Sequence, residues 1–279
     1  MRNRWMRGAA LIPVAALITT VPVWAQAGDI SAKATDPAFT TPTVDDFVLL
    51  KKCVDAVQNG PVAVSSDVVV KASNSGAFMT IHETVKFAGQ ASGKFRSDVV
   101  LLGEDGTTPE AKFQVLGDGK SVFTYRPGTK QYSVLSPADF KKDGGRAFSS
   151  LGILCGLVAP ADPFLGGDQP VSVDVVTAIV QGLKNSGMVL TSGAGVEGQR
   201  VFELRQITPG AEGFRVRVTA SPVTNSFSTL QFSGKQGEWN FSVSETVKSL
   251  GRLPVAESVT FAPTDNPTKV AKLSVWPFE

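Results

Sequence analysis

From residue 62 the chain alternates between apolar and polar side chains. Residues 62–72 are rich in β-branched side chains and close on Ser73-Asn74-Ser75-Gly76. Residues 78–87 set Met79, Ile81, Val85 and Phe87 against Thr80, His82, Thr84 and Lys86. Residues 94–102 set Phe95, Val99 and Leu101 against Arg96 and Asp98, and 111–116, 121–126 and 131–135 continue the pattern. A period of two predicts antiparallel strands with one face on a core. Strands return at 188–191, 199–207, 213–220, 226–233, 239–247, 257–261 and 269–276. Phe202, Leu204, Phe214, Leu230, Phe232 and Phe241 are among the large apolar positions of this second block.

Helical spacing appears in two places. Phe47, Leu50, Val54 and Val57 recur on one stripe with Cys53 beside them. Thr43 and Asp46 stand three apart at its start, where each side chain can accept from the other's backbone N–H, and Asn59-Gly60-Pro61 stops it. Between the strand blocks, residues 136–187 turn helical and loop-like. Pro137 to Phe140 reads as a short helical start. Residues 148–158 (FSSLGILCGLV) are apolar on nearly all sides, with glycines that break a long helix, and 159–170 form a Pro/Gly/Asp loop. Residues 172–184 are amphipathic through Val175, Val176, Ile179, Val180 and Leu183. The insert is too apolar for a linker, so residues 43–279 read as one domain rather than two tandem sandwiches. Residues 28–42 read as a mobile leader.

The tightest local signal is FQVLGDGKSVFTYRPGTKQY, from Phe113 to Tyr132. Asp118-Gly119 between alternating runs predicts a hairpin, because Gly adopts positive φ without steric cost. The same run lacks phosphate-loop spacing and leads into no helix.

The first 27 residues look like an export signal. Arg2, Arg4 and Arg7 precede an uncharged apolar run from Gly8 to Val23, and small residues offer cleavage after Ala27 or Ala25. The whole chain has 27 Lys+Arg and 25 Asp+Glu. The signal holds three Arg and no acid, so the remainder carries 24 basic against 25 acidic residues. That balance leaves no basic surplus for nucleic acid or anionic membrane. The mature protein is expected to be soluble and exported. Cys53 and Cys155 either pair, closing a loop of about a hundred residues worth roughly 4–5 kcal/mol, or stay as two buried thiols.

Catalytic motifs are missing from the sequence. His82 is the one histidine and falls mid-strand on the polar face. No nucleophile elbow, zinc motif or metal-ligand set is present, so no cofactor, metal or enzymatic activity is expected. What the chain supplies is apolar surface: one dry sheet face and one apolar insert.

Val115-Leu116-Gly117-Asp118-Gly119-Lys120, then Tyr125-Arg126-Pro127, then Gln131, resembles the "V-x-D-G-K … Y-x-P … Q" pattern of the LolA-like superfamily, periplasmic carriers of lipoproteins and lipids with LolB-like and RseB-like relatives, which implies a periplasmic location. Phe95-Arg96 one strand earlier and Val259 to Pro263 near the end fit the same order. The chain departs from it near Ala91-Ser92, where LolA carries an Arg-Pro latch. The resemblance implies an α+β fold: a strongly curved, antiparallel half-open β-barrel closed by an amphipathic N-terminal helix and a mid-chain helical lid (about 136–187). It implies a cavity lined by Met79, Ile81, Phe87, Phe95, Leu101, Phe113, Phe123, Tyr125, Phe202, Leu204, Phe214, Leu230, Phe232 and Phe241. Phe148, Leu151, Ile153, Leu154, Leu157 and Phe164 are the lid candidates. The expected partners are a lipid or lipoprotein acyl chains, with donor and acceptor proteins in the inner and outer membranes; no nucleic acid is expected, and the carrier is expected as a monomer. Two rivals remain: an RseB-like regulatory or structural protein-binding module, favoured by a self-filled cavity, and a hydrolase, favoured by a buried acid pair lining a cleft.

Overall fold

A computed structural model describes residues 39–58, 62–89, 94–143, 170–207, 215–236, 238–252, 263 and 265–273. Helix α1 spans Val44–Gln58. Strands β1 (Val62–Ser73), β2 (Phe78–Gly89), β3 (Lys94–Leu102), β4 (Pro109–Asp118), β5 (Val122–Arg126) and β6 (Gln131–Leu135) follow as a meander. Helices α2 (Pro137–Asp143) and α3 (Val173–Asn185) come next. The second block is β7 (Met188–Ala194), β8 (Arg200–Gln206), β9 (Arg215–Ser221), β10 (Ser226–Gln236), β11 (Trp239–Arg252) and β12 (Thr268–Lys269).

All twelve strands join one sheet, in the order β12-β6-β5-β4-β3-β2-β1-β11-β10-β9-β8-β7. The pairing is antiparallel throughout except between β6 and β12. The two blocks meet where β1 pairs with β11 along its whole length, from Val62↔Arg252 to Ser73↔Asn240. A large open, mostly antiparallel sheet with few helices fits a half-barrel.

One face of the sheet is the core face. Along β1 the burial alternates from Val62 to Val70, and Val62, Val64, Ser66, Val68 and Val70 point inward. Register carries that face across the sheet, because residues directly opposite share a side. α1 lies against β9, β10 and α3. Its Leu49, Cys53, Val54 and Val57 join the main apolar cluster with Val62, Val64, Phe87, Phe202 and Leu230. Phe47 joins a second cluster with Val176, Ile179 and Leu183 of α3 and with Leu204 and Val216. The stripe expected on α3 is the one buried, and Ser172 caps it by accepting from the Val175 N–H at 3.3 Å.

Several strand bounds shift, two of them by five residues or more. The terminal strand expected at 269–276 is a two-residue parallel contact, Thr268–Lys269 on β6; the chain is no longer in strand from Val270 through the described Leu273. β11 runs five residues past its expected end, because β1 goes on pairing with it beyond a bulge at Ser65/Ser66. The strand expected at 257–261 lies outside the described residues.

Candidate functional site

The inner face forms a grid that can be read from register. One row across β11, β1, β2 and β3 is Val243, Val70, Ile81 and then the β3–β4 loop; the next is Glu245, Val68, Glu83 and Leu101; the next is Val247, Ser66, Val85, Val99 and Phe113. Of the fourteen cavity candidates, Met79, Ile81, Phe87, Phe95, Leu101, Phe113, Phe202, Leu204, Leu230, Phe232 and Phe241 share this face. Phe214 and all six lid candidates, Phe148, Leu151, Ile153, Leu154, Leu157 and Phe164, lie outside the described residues.

Phe123 and Tyr125 stand on the opposite face. The β4–β5 turn places two residues, Gly119 and Lys120, between Asp118 and Ser121; the Asp118 N–H donates to the Ser121 carbonyl at 3.1 Å, with Gly119 at φ +89°. That loop pairs Leu116 with Phe123 and Gln114 with Tyr125. Phe113 therefore cannot share a side with either, because an even-length loop pairs odd positions with even ones. Phe123 packs on Tyr132, ring centroids 6.2 Å apart, and the Tyr125 hydroxyl donates to Asp265.

At one end the inner face fills itself. The Phe95 ring reaches within 2.3 Å of where a Cβ on Gly117 would sit, and the Phe87 ring lies 2.6 Å from the equivalent point on Gly89. The two rings stack with centroids 5.9 Å apart. Phe232 and Phe241 form a second inner-face pair at 5.5 Å.

The middle of the face carries what the sequence pattern did not isolate. Glu83 is 3% exposed and Glu245 is 0% exposed, and both flank Val68. Burial, and then the charge of Glu245, push the Glu83 carboxyl up to about 8. The Glu83 Oε2 and the Ser66 hydroxyl have no hydrogen-bond partner. Glu83 was hidden in the sequence because it interrupts an apolar inward series, and only register shows that Glu245 stands in the same row.

α1 is fixed to the sheet by a second acid. The Thr43 N–H donates to Asp46 at 2.9 Å and the Asp46 N–H donates to the Thr43 hydroxyl at 3.3 Å, the reciprocal cap expected from spacing. Asp46 also accepts from the Ser192 hydroxyl at 2.7 Å and from Arg200 at 2.8 and 3.0 Å. Burial raises its pKa, but these bonds outweigh burial and hold the carboxyl below the usual range. Neither Ser192 nor Arg200 carries a local sequence signal for this contact.

On the outer face, Glu203 gathers three arginines: Arg217 at 2.9 Å, Arg205 at 3.3 Å and Arg215 at 3.7 Å. The charge balance of the sequence could not show this local concentration. His82 lies on the outer face too, in the row opposite Val69 and Leu102. Of the alternatives for the cysteines, Cys53 is a free, fully buried thiol, and Cys155 lies outside the described residues.

The recesses open to solvent among the described residues include two. One of about 520 Å³ lies between α1 and the ends of β10 and β11, with Ala56, Gln199, Phe227, Lys248 and Arg252 in its lining. The other, about 360 Å³, lies between residues 41–44 and α3. Neither is lined by a cavity candidate or by either inner-face acid. Among the described residues no group of three or more His, Cys, Asp or Glu could hold a metal ion, and no helix is long and apolar enough to cross a membrane.

Neither a family model nor a curated protein matches the chain. Solved structures do. They include LolA-like proteins. One is a LolA superfamily protein from Nitrosomonas europaea, 9% identical, covering 75% of this chain and 93% of that one at a TM-score of 0.27. LprF from Mycobacterium bovis is 14% identical, with 80% and 99% covered and a TM-score of 0.35. An uncharacterized conserved protein from Thermus thermophilus is 10% identical, with 81% and 98% covered and a TM-score of 0.42.

Proposed function

We propose that this chain is a soluble periplasmic carrier that binds a lipid, or the acyl chains of a lipoprotein, against the inner face of its sheet. The observation that carries this is the face itself. Met79, Ile81, Leu101, Phe113, Leu230, Phe232 and Phe241 come from five strands and share one side of one sheet. A dry apolar wall of this kind holds an acyl chain with about 0.8 kcal/mol per buried CH₂ and needs no cofactor or bond chemistry. The apolar insert that precedes α3 is the proposed lid, and α1 the fixed closure. The domain is taken as residues 43–279, exported on the N-terminal signal and acting as a monomer between donor and acceptor membranes.

The test is native mass spectrometry of protein purified from the exporting cell, followed by uptake of a fluorescent fatty acid. A co-purifying lipid mass and saturable uptake support a carrier. Clean protein without uptake overturns it. N-terminal sequencing of the same sample locates the cleavage, expected after Ala27 or Ala25.

A second reading draws on one observation. Phe87 and Phe95 occupy the space above Gly89 and Gly117, so one end of the wall is filled by its own side chains. Self-filling favours an RseB-like module that binds another protein. Phe95→Ala separates the two: it enlarges a carrier's cavity and increases fatty-acid uptake, and it leaves a protein-binding module without uptake.

A further inference from the structure

The centre of the inner wall is polar where a wall built only for acyl chains would be apolar. Val68 lies at mid-strand in β1, the seventh of twelve strands across the sheet. Glu245 is its partner on one side and Glu83 on the other. Ser66, one row along, is opposite Val247 and Val85, so it is diagonal to both acids. Diagonal positions on one face lie within reach of long side chains. Leu101 and Leu230 bound the row, with Val70, Ile81 and Val85 beside it.

Glu83 and Ser66 are placed at a thermodynamic disadvantage. A buried carboxyl oxygen and a buried hydroxyl without partners each keep the cost of leaving water. Glu83 Oε2 and Ser66 Oγ are two such atoms, on residues 3% and 1% exposed. Leucine at position 83 would remove the conflict and preserve the wall. The arrangement makes chemical sense with a donor in place. An ionised Glu83 with the Ser66 hydroxyl diagonal to it disfavours anions and offers hydrogen-bond acceptors to a cation, and the Glu245 carboxyl across Val68 adds negative charge beside them. Calcium and magnesium take six or more oxygen ligands, water included, and side chains 0–3% exposed in an apolar surround favour a less hydrated cation. An alkylammonium group needs only two or three acceptors and brings an apolar chain of its own.

We propose that Glu83, with Ser66 and Glu245 around it, is a docking point in the inner wall for the ammonium group of a cationic amphiphile. This rests on the carrier reading and specifies its cargo: a lipid whose polar end carries an amine. The acyl part lies along the apolar wall while the nitrogen meets Glu83.

Isothermal titration with tetradecylamine, tetradecanol and tetradecanoate, below micellar concentration and at about pH 9, where the Glu83 carboxyl is ionised and an alkylamine still carries its proton, tests it. The wild-type chain is expected to bind the amine about tenfold or more tighter than the alcohol. Glu83→Gln, which keeps shape, brings the two within about threefold and leaves the alcohol unchanged; Ser66→Ala reduces the preference by a smaller factor in the same direction. Thermal melts of both variants show that each is folded. Equal binding of amine and alcohol by the wild type, or a preference that survives Glu83→Gln, overturns the docking point and leaves the carrier standing. Failure of all three compounds to bind overturns the carrier reading and the docking point together.

Discussion

Burial and the neighbouring charge of Glu245 push the Glu83 carboxyl from an ordinary 4.5 up to about 8. An acid whose folded pKa lies above its unfolded value binds its proton more tightly when folded. Its contribution to stability is therefore complete below the ordinary carboxyl value and is lost as pH rises through about 8. At about 1.4 kcal/mol per pKa unit, the loss across that window is on the order of 3–5 kcal/mol. Urea midpoints should be lower at about pH 9 than at about pH 5, and Glu83→Gln should flatten that decline. Asp46 has the opposite sign. Its pKa is held down by Thr43, Ser192 and Arg200 against the pull of burial, so its contribution is present above the ordinary range and is lost as pH falls. Asp46 is buried and Arg200 is partly exposed, so removing one partner, by Asp46→Asn or Arg200→Met, should cost about 1–3 kcal/mol. A double-mutant cycle should return a coupling well above that of an exposed pair.

At the scale of elements, alternation and caps were legible and the β5 face was not. The strands of the meander, α1 with its Thr43–Asp46 cap, and the buried stripe of α3 all follow from local periodicity. What sequence left ambiguous was parity across a turn. Asp118-Gly119 announced a hairpin, but the count of loop residues decides whether Phe113 or Leu116 shares a side with Phe123. Two loop residues put Phe123 opposite Leu116. The inner-face acids escaped for a related reason: Glu83 and Glu245 are 162 positions apart and meet only because β1 pairs with both β2 and β11. The glycines beneath the aromatic rings are a direct check on the register. Gly117→Ala places a methyl about where the Phe95 ring now lies, 2.3 Å from its nearest carbon, and should destabilise by about 1–3 kcal/mol. Gly119→Ala, at φ +89°, should cost about 1 kcal/mol or more through backbone strain alone. Chemical denaturation of the two variants measures both.

For the whole molecule, an open twelve-stranded sheet leaves a β6 edge and a β7 edge, and each is covered by a short piece of chain. Thr40 exchanges two backbone hydrogen bonds of 2.9 Å with Ser192 on β7. β12 lies along β6, where the Thr268 and Val270 N–H groups donate to Lys130 and Tyr132 at 2.8 Å, and the Tyr125–Asp265 bond holds the same segment from the outer face. Tyr125→Phe removes that anchor, and amide exchange at Thr268 and Val270 should speed up while exchange in β1 stays unchanged. These covers set how the molecule behaves in company. An uncovered strand edge is a template for another chain, and among the described residues these two brief contacts are what covers the outer edges of β6 and β7. Trimming the chain before Asp265 bares β6, so light scattering should detect concentration-dependent aggregation in the trimmed protein and none in the full chain. Proteolytic nicking near either terminus would then act as a trigger for assembly, with the cargo-facing wall untouched.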